Sequence, residues 1–200
     1  MKKPRIAVTW FALMAAAISC KTSPFASARV PMKHRAASQD CPHERGSRPE
    51  PAALTRGPSD QCTKDADCTQ KPNGRCFVQR GGARCSYDAC YSDTDCAGGP
   101  GEKGSGTCEC RSSATSVVAN TCKWGNCRTD ADCHGNYCSP SLGTCGHMGG
   151  IVGYFCHARK DECIDDSDCK GKDDKSPRDG ACRYVEEVGH FKCSTMECVG

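Results

Sequence analysis

Pairs of aspartates recur four times in this sequence, always in the pattern Cys-x-x-Asp-x-Asp-Cys. Carboxylates two residues apart could supply some of the about six to eight oxygen ligands that Ca²⁺ requires. The surrounding residues lack the further oxygens and the glutamate of an EF-hand loop. We therefore favour turns in which the aspartates accept hydrogen bonds from nearby backbone N–H groups, with calcium binding as the alternative. The pairs are Asp65 and Asp67, Asp93 and Asp95, Asp130 and Asp132, and Asp166 and Asp168.

Cysteine is the second residue type that could do chemistry, because it makes up 21 of the 200 residues. Such a density is typical of disulfide scaffolds in exported proteins and of metal or redox proteins in the cytosol. Zinc would need about four thiolate or imidazole ligands, but the candidate cysteines mostly occupy repeat positions that recur in units without histidine. Structural disulfides are therefore the simpler interpretation, also for Cys108-Glu109-Cys110, which lacks the Cys-x-x-Cys spacing of thioredoxins. The zinc candidates are Cys133, His134, Cys138, Cys145, His147, Cys156 and His157.

Motifs that would indicate an enzyme are absent from the sequence. It contains no Gly-x-Ser-x-Gly, phosphate loop, His-Glu-x-x-His or dinucleotide fingerprint, and no spacing joins serines and histidines into a triad. Residues 62–200 carry 17 basic and 20 acidic side chains, a net charge of −3 without a basic stripe, which argues against nucleic-acid binding. We therefore expect a non-catalytic protein without a cofactor or a nucleic-acid partner.

The first twenty residues have the form of an export signal. Three basic residues among the first five precede an apolar run from Ile6 to Ser19. This run is shorter than the about 20 apolar residues that a membrane-spanning helix needs, but it suits a signal peptide. The pattern predicts export into a compartment where thiols oxidise.

The end of the apolar run, Ala17-Ile18-Ser19-Cys20, resembles a bacterial lipobox. This resemblance implies that residues 1–19 are removed and that Cys20 becomes the lipidated N-terminus. The alternative is an ordinary signal peptide that is cleaved after Ala26 or Ala28. By the same resemblance, Lys21, in the place of an aspartate, favours the outer membrane.

Internal repeats organise the chain from Cys62 onward. Each unit opens with the aspartate motif, continues to a Gly-x-Cys and ends at a fourth cysteine. Residues 21–61 are rich in Pro, Ser, Ala and Arg and show no apolar period, which is typical of a linker. The predicted segments are a lipoprotein-type signal peptide at 1–19, a flexible tether at 20–61 and cysteine-rich repeats at 62–89, 90–126, 127–162 and 163–200.

Within each unit, the stretch between the third and fourth cysteines has the pattern of a β-hairpin. CFVQRGGARC turns at Gly81-Gly82, and CRYVEEVGHFKC turns around Glu187 and Gly189. Residues 62–200 contain 21 large apolar or aromatic side chains and a single leucine, Leu142, too few for an ordinary core. The predicted fold class is a small disulfide-rich protein with little regular secondary structure, built as a tandem array of four short turn-plus-β-hairpin modules.

The cysteines can pair completely, because twenty remain when Cys20 is set aside. One register pairs the cysteines inside each unit and leaves Cys198 for Cys41. A register shifted by one cysteine leaves Cys62 for Cys41, and we prefer it because the leftover loop is shorter. Both registers leave Cys110 and Cys138 as a bridge between units two and three, and the pairing inside a module stays open. The framework comprises Cys41, Cys62, Cys68, Cys76, Cys85, Cys90, Cys96, Cys108, Cys110, Cys122, Cys127, Cys133, Cys138, Cys145, Cys156, Cys163, Cys169, Cys182, Cys193 and Cys198.

Six aromatic residues lie within a few positions of cysteines, and we expect most of these rings to pack on disulfides. In a protein with so small a core, some rings could instead stay exposed as binding anchors. The six are Tyr87, Tyr91, Trp124, Tyr137, Tyr154 and Phe155.

The stretch CRTDADCHGNYCSPSLGTC, residues 127–145, resembles the opening of the Dickkopf N-terminal cysteine-rich region, through Cys127, Asp130, Cys133, Tyr137 and Cys138. The lipobox and the repeated Asp-x-Asp-Cys motifs together resemble the cysteine-rich lipoproteins of myxobacteria. This second resemblance implies an architecture and a location in the cell envelope.

These features together predict an exported, lipid-anchored, disulfide-stabilised binding or structural protein of the cell surface. It would contact the membrane through its N-terminal lipid and bind a protein or glycan ligand. One alternative is a secreted protease inhibitor of the disulfide-module type, with Arg80 of the Gln79-Arg80-Gly81-Gly82 turn as its anchor. The other is a calcium-binding module that uses the Asp-x-Asp pairs.

Overall fold

The predicted fold class is confirmed by the computed structural model, which describes residues 29–48, 57–79, 82–98, 105–143, 146–170 and 180–194. These residues form four two-stranded antiparallel β-hairpins, each preceded by a short 3₁₀ turn. Across the described ranges, no helix has the length and apolar character needed to cross a bilayer.

Each repeat contributes one 3₁₀ turn and one hairpin, which together we call a module. Module 1 contains η1 (Asp65–Asp67), β1 (Arg75–Gln79) and β2 (Gly82–Ser86), and module 2 contains η2 (Asp93–Cys96), β3 (Ser105–Glu109) and β4 (Thr121–Gly125). Module 3 contains η3 (Asp130–Cys133), β5 (Cys138–Gly143) and β6 (Gly146–Cys156), and module 4 contains η4 (Asp166–Cys169), β7 (Ala181–Val185) and β8 (His190–Ser194).

All four modules share one disulfide connectivity, in which the first cysteine bonds to the third and the second bonds to the fourth. The third and fourth cysteines lie directly opposite each other in the hairpin, as Cys76 and Cys85 do in module 1. Both strands are therefore joined covalently to the ends of the 3₁₀ turn. The bonds are Cys62–Cys76, Cys68–Cys85, Cys90–Cys108, Cys96–Cys122, Cys127–Cys138, Cys133–Cys156, Cys163–Cys182 and Cys169–Cys193.

This connectivity corrects the preferred prediction. The shifted register is wrong, because each turn lies against the hairpin of its own unit and pairs with it. The predicted Cys110–Cys138 bridge is also wrong, because Cys138 is the third cysteine of module 3 and bonds to Cys127. Cys110 bonds instead to Cys41. Three predicted positions, Cys20, Cys145 and Cys198, lie outside the described residues.

Residues 29–48, predicted to belong to a flexible tether, instead lie along the modules, and we call this segment the strap. The Cys41–Cys110 disulfide joins it to module 2. The backbone of Arg35 donates to the Cys138 carbonyl at 2.8 Å and accepts from the Asp130 amide at 2.8 Å. For this part of the chain the tether prediction is therefore wrong, because ionic and backbone partners far along the sequence order the strap without an apolar pattern of its own.

The core of the described protein consists largely of sulfur. Four clusters of buried residues, one in each module, are built around cysteines. The larger apolar side chains in them are few: Tyr154 in module 3, and Phe191 in module 4, against which Phe155 packs. The disulfides thus occupy the place that aliphatic side chains fill in an ordinary domain.

Modules 2, 3 and 4 contact their neighbours directly. A Cβ added to Gly125 of β4 would lie 1.8 Å from the Tyr154 carbonyl oxygen, so only glycine allows β4 and β6 to approach this closely. Between modules 3 and 4, the Tyr184 amide donates to the Ser141 hydroxyl at 2.9 Å. The rings of Tyr184 and Phe155 also stack there, with their centroids 4.0 Å apart.

Candidate functional site

The second aspartate of each motif closes its own 3₁₀ turn. In module 2, Asp95 accepts hydrogen bonds from the Tyr91 amide at 2.7 Å and the Ser92 amide at 2.9 Å. These backbone N–H groups hold the pKa of the Asp95 carboxyl below its ordinary value. The equivalent aspartates make the same bonds and have a lowered pKa as well: Asp67, Asp132 and Asp168.

The first aspartate of each motif ties the turn to the hairpin. Each accepts a hydrogen bond from the backbone N–H of the third cysteine in its module, at 2.8–2.9 Å. Both aspartates of the motif therefore serve the backbone: the second caps its own turn, as predicted, whereas the first bonds to the hairpin, 8–16 residues along the chain. A calcium ion would compete with these donors for the carboxylate oxygens. The pairs of donor and acceptor are Cys76 and Asp65, Cys108 and Asp93, Cys138 and Asp130, and Cys182 and Asp166.

A third aspartate that recurs at the same position in three modules is not among the sequence predictions. Asp60, Asp88 and Asp161 each stand two positions before the first cysteine of a module. Each accepts the N–H of the residue two positions before the fourth cysteine, at 2.6–3.1 Å. The signal was visible as Asp-x-Cys at three of the four unit starts, and module 3 has Gly125 in that position.

Basic side chains of the strap contact an aspartate in every module: arginines in modules 1, 2 and 4 and a histidine in module 3. Arg48 contacts Asp65 in module 1 at 2.6 Å, and Arg35 contacts Asp93 in module 2 at 3.1 Å. His34 contacts Asp130 in module 3 at 2.7 Å, and Arg29 contacts Asp165 in module 4 at 2.9 Å. The strap therefore runs antiparallel to the order of the modules. In Asp65, burial favours the neutral acid, but hydrogen bonds from Arg48, Arg75 and the Cys76 amide outweigh it and hold the pKa well below its usual range.

The most deeply buried ionic group joins the strap to the start of module 2. Asp88 lies between Arg45 at 2.8 Å and Arg111 at 2.7 Å, and the three side chains are 0–2% exposed. Burial alone would raise the pKa of Asp88, but Arg45, the Asn120 amide and Arg111 outweigh it and lower that pKa. Removing the carboxylate would leave two buried guanidinium groups without a counter-ion.

Four of the seven candidate zinc ligands are engaged in other bonds: Cys133, Cys138, Cys156 and His157. Among the described residues, the clusters of metal-ligand type are four sets of three cysteines, with sulfurs within 4.8 Å of one another. All of these cysteines are in disulfides, which do not supply the thiolates that zinc requires. His157 contacts Asp161 at 2.7 Å and stacks on Phe191. The side chain of His147, like Cys145, lies outside the described residues.

The predicted aromatic residues fall into two groups. Tyr154 and Phe155 are buried, Tyr87 packs against the cysteines of module 1, and Tyr91 stacks on His43 with centroids 4.0 Å apart. Trp124 differs from them because 38% of its surface is exposed.

Burial holds Tyr154 in its neutral form. Desolvation raises the pKa of its phenol far above the ordinary value, and the carboxylate of Glu109, to which the hydroxyl donates a hydrogen bond, adds to this. Tyr137 contacts His34 edge-on, with the centroids 5.1 Å apart. Tyr87, Tyr154 and Phe155 therefore pack in the cysteine clusters, as predicted, whereas Tyr91 and Tyr137 contact histidines of the strap.

Several concavities lie in the described surface where modules meet, among them a small one of about 200 Å³ between Tyr137, Ile164 and the strap. A groove of about 310 Å³ between modules 3 and 4 and the strap is largely apolar, with Leu142, Ile151 and Phe191 in its walls. A cleft of about 290 Å³ is lined by Trp124, Gly125, Asn126, Phe155, Tyr184 and Glu186. Arg80, the anchor of the inhibitor alternative, lies outside the described residues.

Comparison of the chain with protein-family models, curated proteins and solved structures finds no match. The class that the fold defines is a small disulfide-rich protein of four hairpin modules.

Proposed function

We propose that this chain is an exported, lipid-anchored, non-catalytic protein that presents a rigid binding surface outside the cell. The observation that best supports the proposal is the bracing of the described chain. Nine disulfides, eight inside modules and one to the strap, combine with arginine–aspartate ion pairs from the strap to modules 1, 2 and 4 and with the His34–Asp130 contact to module 3. Such bonds persist in oxidising compartments outside the cytosol.

The anchor is Cys20, on the evidence of the lipobox-like sequence that precedes it. The repeated motifs, which resemble those of myxobacterial cysteine-rich lipoproteins, favour the cell envelope. Cys20 and Arg29 are nine residues apart, and a chain spans at most about 3.3–3.6 Å per residue. A lipid on Cys20 would therefore keep module 4, which Arg29 contacts, within about 30 Å of the membrane surface.

The anchor is tested by expressing the full chain in a bacterium that is fed a radiolabelled fatty acid. We expect label in the wild-type protein and none in Cys20→Ala. We also expect the precursor to accumulate when the lipoprotein signal peptidase is inhibited. Equal labelling of both proteins, or an unlabelled wild type cleaved after Ala26 or Ala28, would overturn the anchor.

The covalent framework is tested by the intact mass of the exported protein before and after reduction. Twenty cysteines follow Cys20, so complete pairing predicts a gain of about twenty hydrogens. The nine described bonds use eighteen of them, and peptide mapping should find the other two, Cys145 and Cys198, joined to each other. Free thiols at most positions would contradict the proposed location as well.

A further inference from the structure

The cleft where β4, β6 and β7 meet combines aromatic walls with a single charged group. Trp124 comes from module 2, Phe155 from module 3, and Tyr184 and Glu186 from module 4. Glu186 and Asn126 are exposed at its edge. The cleft therefore exists only because three modules are held together.

Most of the other rings in the described part of the chain lie in the cysteine clusters or stack on another ring, whereas Trp124 is exposed. It keeps 38% of its surface exposed on a strand that is covalently fixed through Cys122. Tyr184 is half-buried, with one face stacked on Phe155 at 4.0 Å. The rings are thus fixed in place before any ligand arrives, so little conformational entropy would be lost on binding.

The charge of the cleft is one-sided. Its lining contains the Glu186 carboxylate and, among the described residues, no cationic side chain. Lys123 and Arg183 neighbour Trp124 and Tyr184 in sequence, but successive side chains of a strand point to opposite faces. Burial raises the pKa of the Tyr184 phenol, and the carboxylates of Glu186 and Asp161 add to this.

We propose that this cleft binds a cationic side chain, lysine or arginine, of a basic segment in a partner protein. A cation over the face of an indole or phenol ring is attracted by the electrons of the ring, and a carboxylate beside it adds a charge-assisted hydrogen bond. An anionic ligand would meet Glu186 without a counter-charge. This inference rests on the proposed binding function but does not depend on the lipid anchor.

Trp124 allows a direct test, because the other of the two tryptophans, Trp10, lies in the predicted signal peptide. The fluorescence of the exported chain then reports on the cleft alone. The probes are acetyl-(Gly-Lys)₄-amide and its arginine counterpart, with the glutamine and glutamate peptides of the same length as controls. We expect saturable changes in emission with the two basic peptides, weakening as salt is added, and none with the controls.

Two matched variants locate the binding. Glu186→Gln should weaken binding of the lysine peptide at least fivefold, whereas Glu187→Gln, an exposed neighbour outside the lining, should leave it within twofold. Trp124→Ala, followed by calorimetry, should abolish the heat of binding, and an unchanged disulfide count would show that the variant is folded.

Three results would overturn the inference. One is equal binding of the glutamine peptide, and a second is equal loss of affinity in Glu186→Gln and Glu187→Gln. The third is saturation of the cleft by chitotriose without binding of the basic peptides, which would make it a platform for a neutral sugar. Because the labelling experiment on Cys20 is independent, the failure of either proposal can be recognised separately.

Discussion

At the scale of single residues, aspartates accept most of the side-chain hydrogen bonds that hold each module together. The two aspartates of each repeated motif accept backbone N–H groups within their own module, and a third, in modules 1, 2 and 4, joins the start of the module to its hairpin. The sequence predicts the second aspartate of each motif as a capping residue, because its bonds lie within one turn; the bond from the first aspartate to the third cysteine spans 8–16 residues and was not predicted. The pairing of Asp88 with Arg45 and Arg111 could not be predicted, because these partners are 43 and 23 residues away.

Replacing Asp88 by asparagine should destabilise the protein strongly. The change leaves the buried Arg45 and Arg111 side chains without a carboxylate, and breaking a buried ion pair in this way costs about 3–5 kcal/mol. The free energy of unfolding from guanidinium denaturation measures the loss. Asp40→Asn is the control, since Asp40 is exposed in the same strap, and a similar loss in both variants would contradict the assigned role of Asp88.

Acid should unfold the protein over a defined range of pH. The pKa values of Asp65, Asp88, Asp95 and Asp132 are lower in the folded protein than the about 3.9 of an unfolded chain. The unfolded chain therefore binds more protons in this range. The stabilisation is complete above about pH 5 and is lost as the pH falls through the folded-state pKa values.

The melting temperature, followed by circular dichroism from pH 6 down to pH 2, measures this loss. We expect a plateau above about pH 5 and a steady fall below about pH 4. A melting temperature that stays constant to pH 2 would show that the carboxylates contribute little to folding.

At the scale of elements, the turn and the hairpin of a module approach each other too closely for most side chains. A Cβ on Gly106 would lie 1.9 Å from the Cys96 carbonyl oxygen, and one on Gly74 would lie 2.1 Å from that of Cys68. The Gly-x-Cys motif correctly predicts the close-contact glycine and the third cysteine in modules 1, 2 and 4. In module 3 it is misleading, because the third cysteine is Cys138, and Asn136 stands in the place of the glycine.

Gly106→Ala should prevent module 2 from closing. The added methyl group meets a backbone oxygen whose residue, Cys96, is held by a disulfide, so neither partner can move easily. We expect a loss of about 3 kcal/mol or failure to form the Cys90–Cys108 bond, measured by denaturation and peptide mapping.

The matched control is Gly46→Ala in the strap. There the new Cβ would come no closer than 3.4 Å to Ala114 and Thr115, which is ordinary contact. This variant should keep wild-type stability to within about 0.5 kcal/mol. Equal effects of the two substitutions would mean that the close approach of turn and hairpin in module 2 is not a constraint.

At the scale of the whole molecule, the strap complements the modules in charge. Residues 29–48 carry five basic and two acidic side chains, a net charge of +3, opposite to the −3 of residues 62–200. The sequence predicts the modules because each is a local unit with a repeated motif. It does not predict the strap, whose partners lie up to 139 residues away and whose composition is that of a linker.

The double substitution Cys41→Ser and Cys110→Ser should release the strap while the modules stay folded. The bond closes a loop with a sequence separation of 69 residues, so its removal should cost roughly 2–4 kcal/mol. Hydrogen exchange should increase in residues 29–48, and the eight disulfides inside the modules should still form. Unchanged protection of the strap would show that its ion pairs hold it without the covalent bond.

The antiparallel course of the strap has a consequence for biosynthesis. A chain grows from its N-terminus at about 5–20 residues per second, so Arg29 emerges 136 residues before Asp165, roughly 7 to 27 seconds earlier. Cys41 meets Cys62 long before Cys110 exists, and the shorter loop closes more readily. Oxidation in order of emergence would trap that wrong pair, so we expect maturation to require a catalyst that reshuffles thiols.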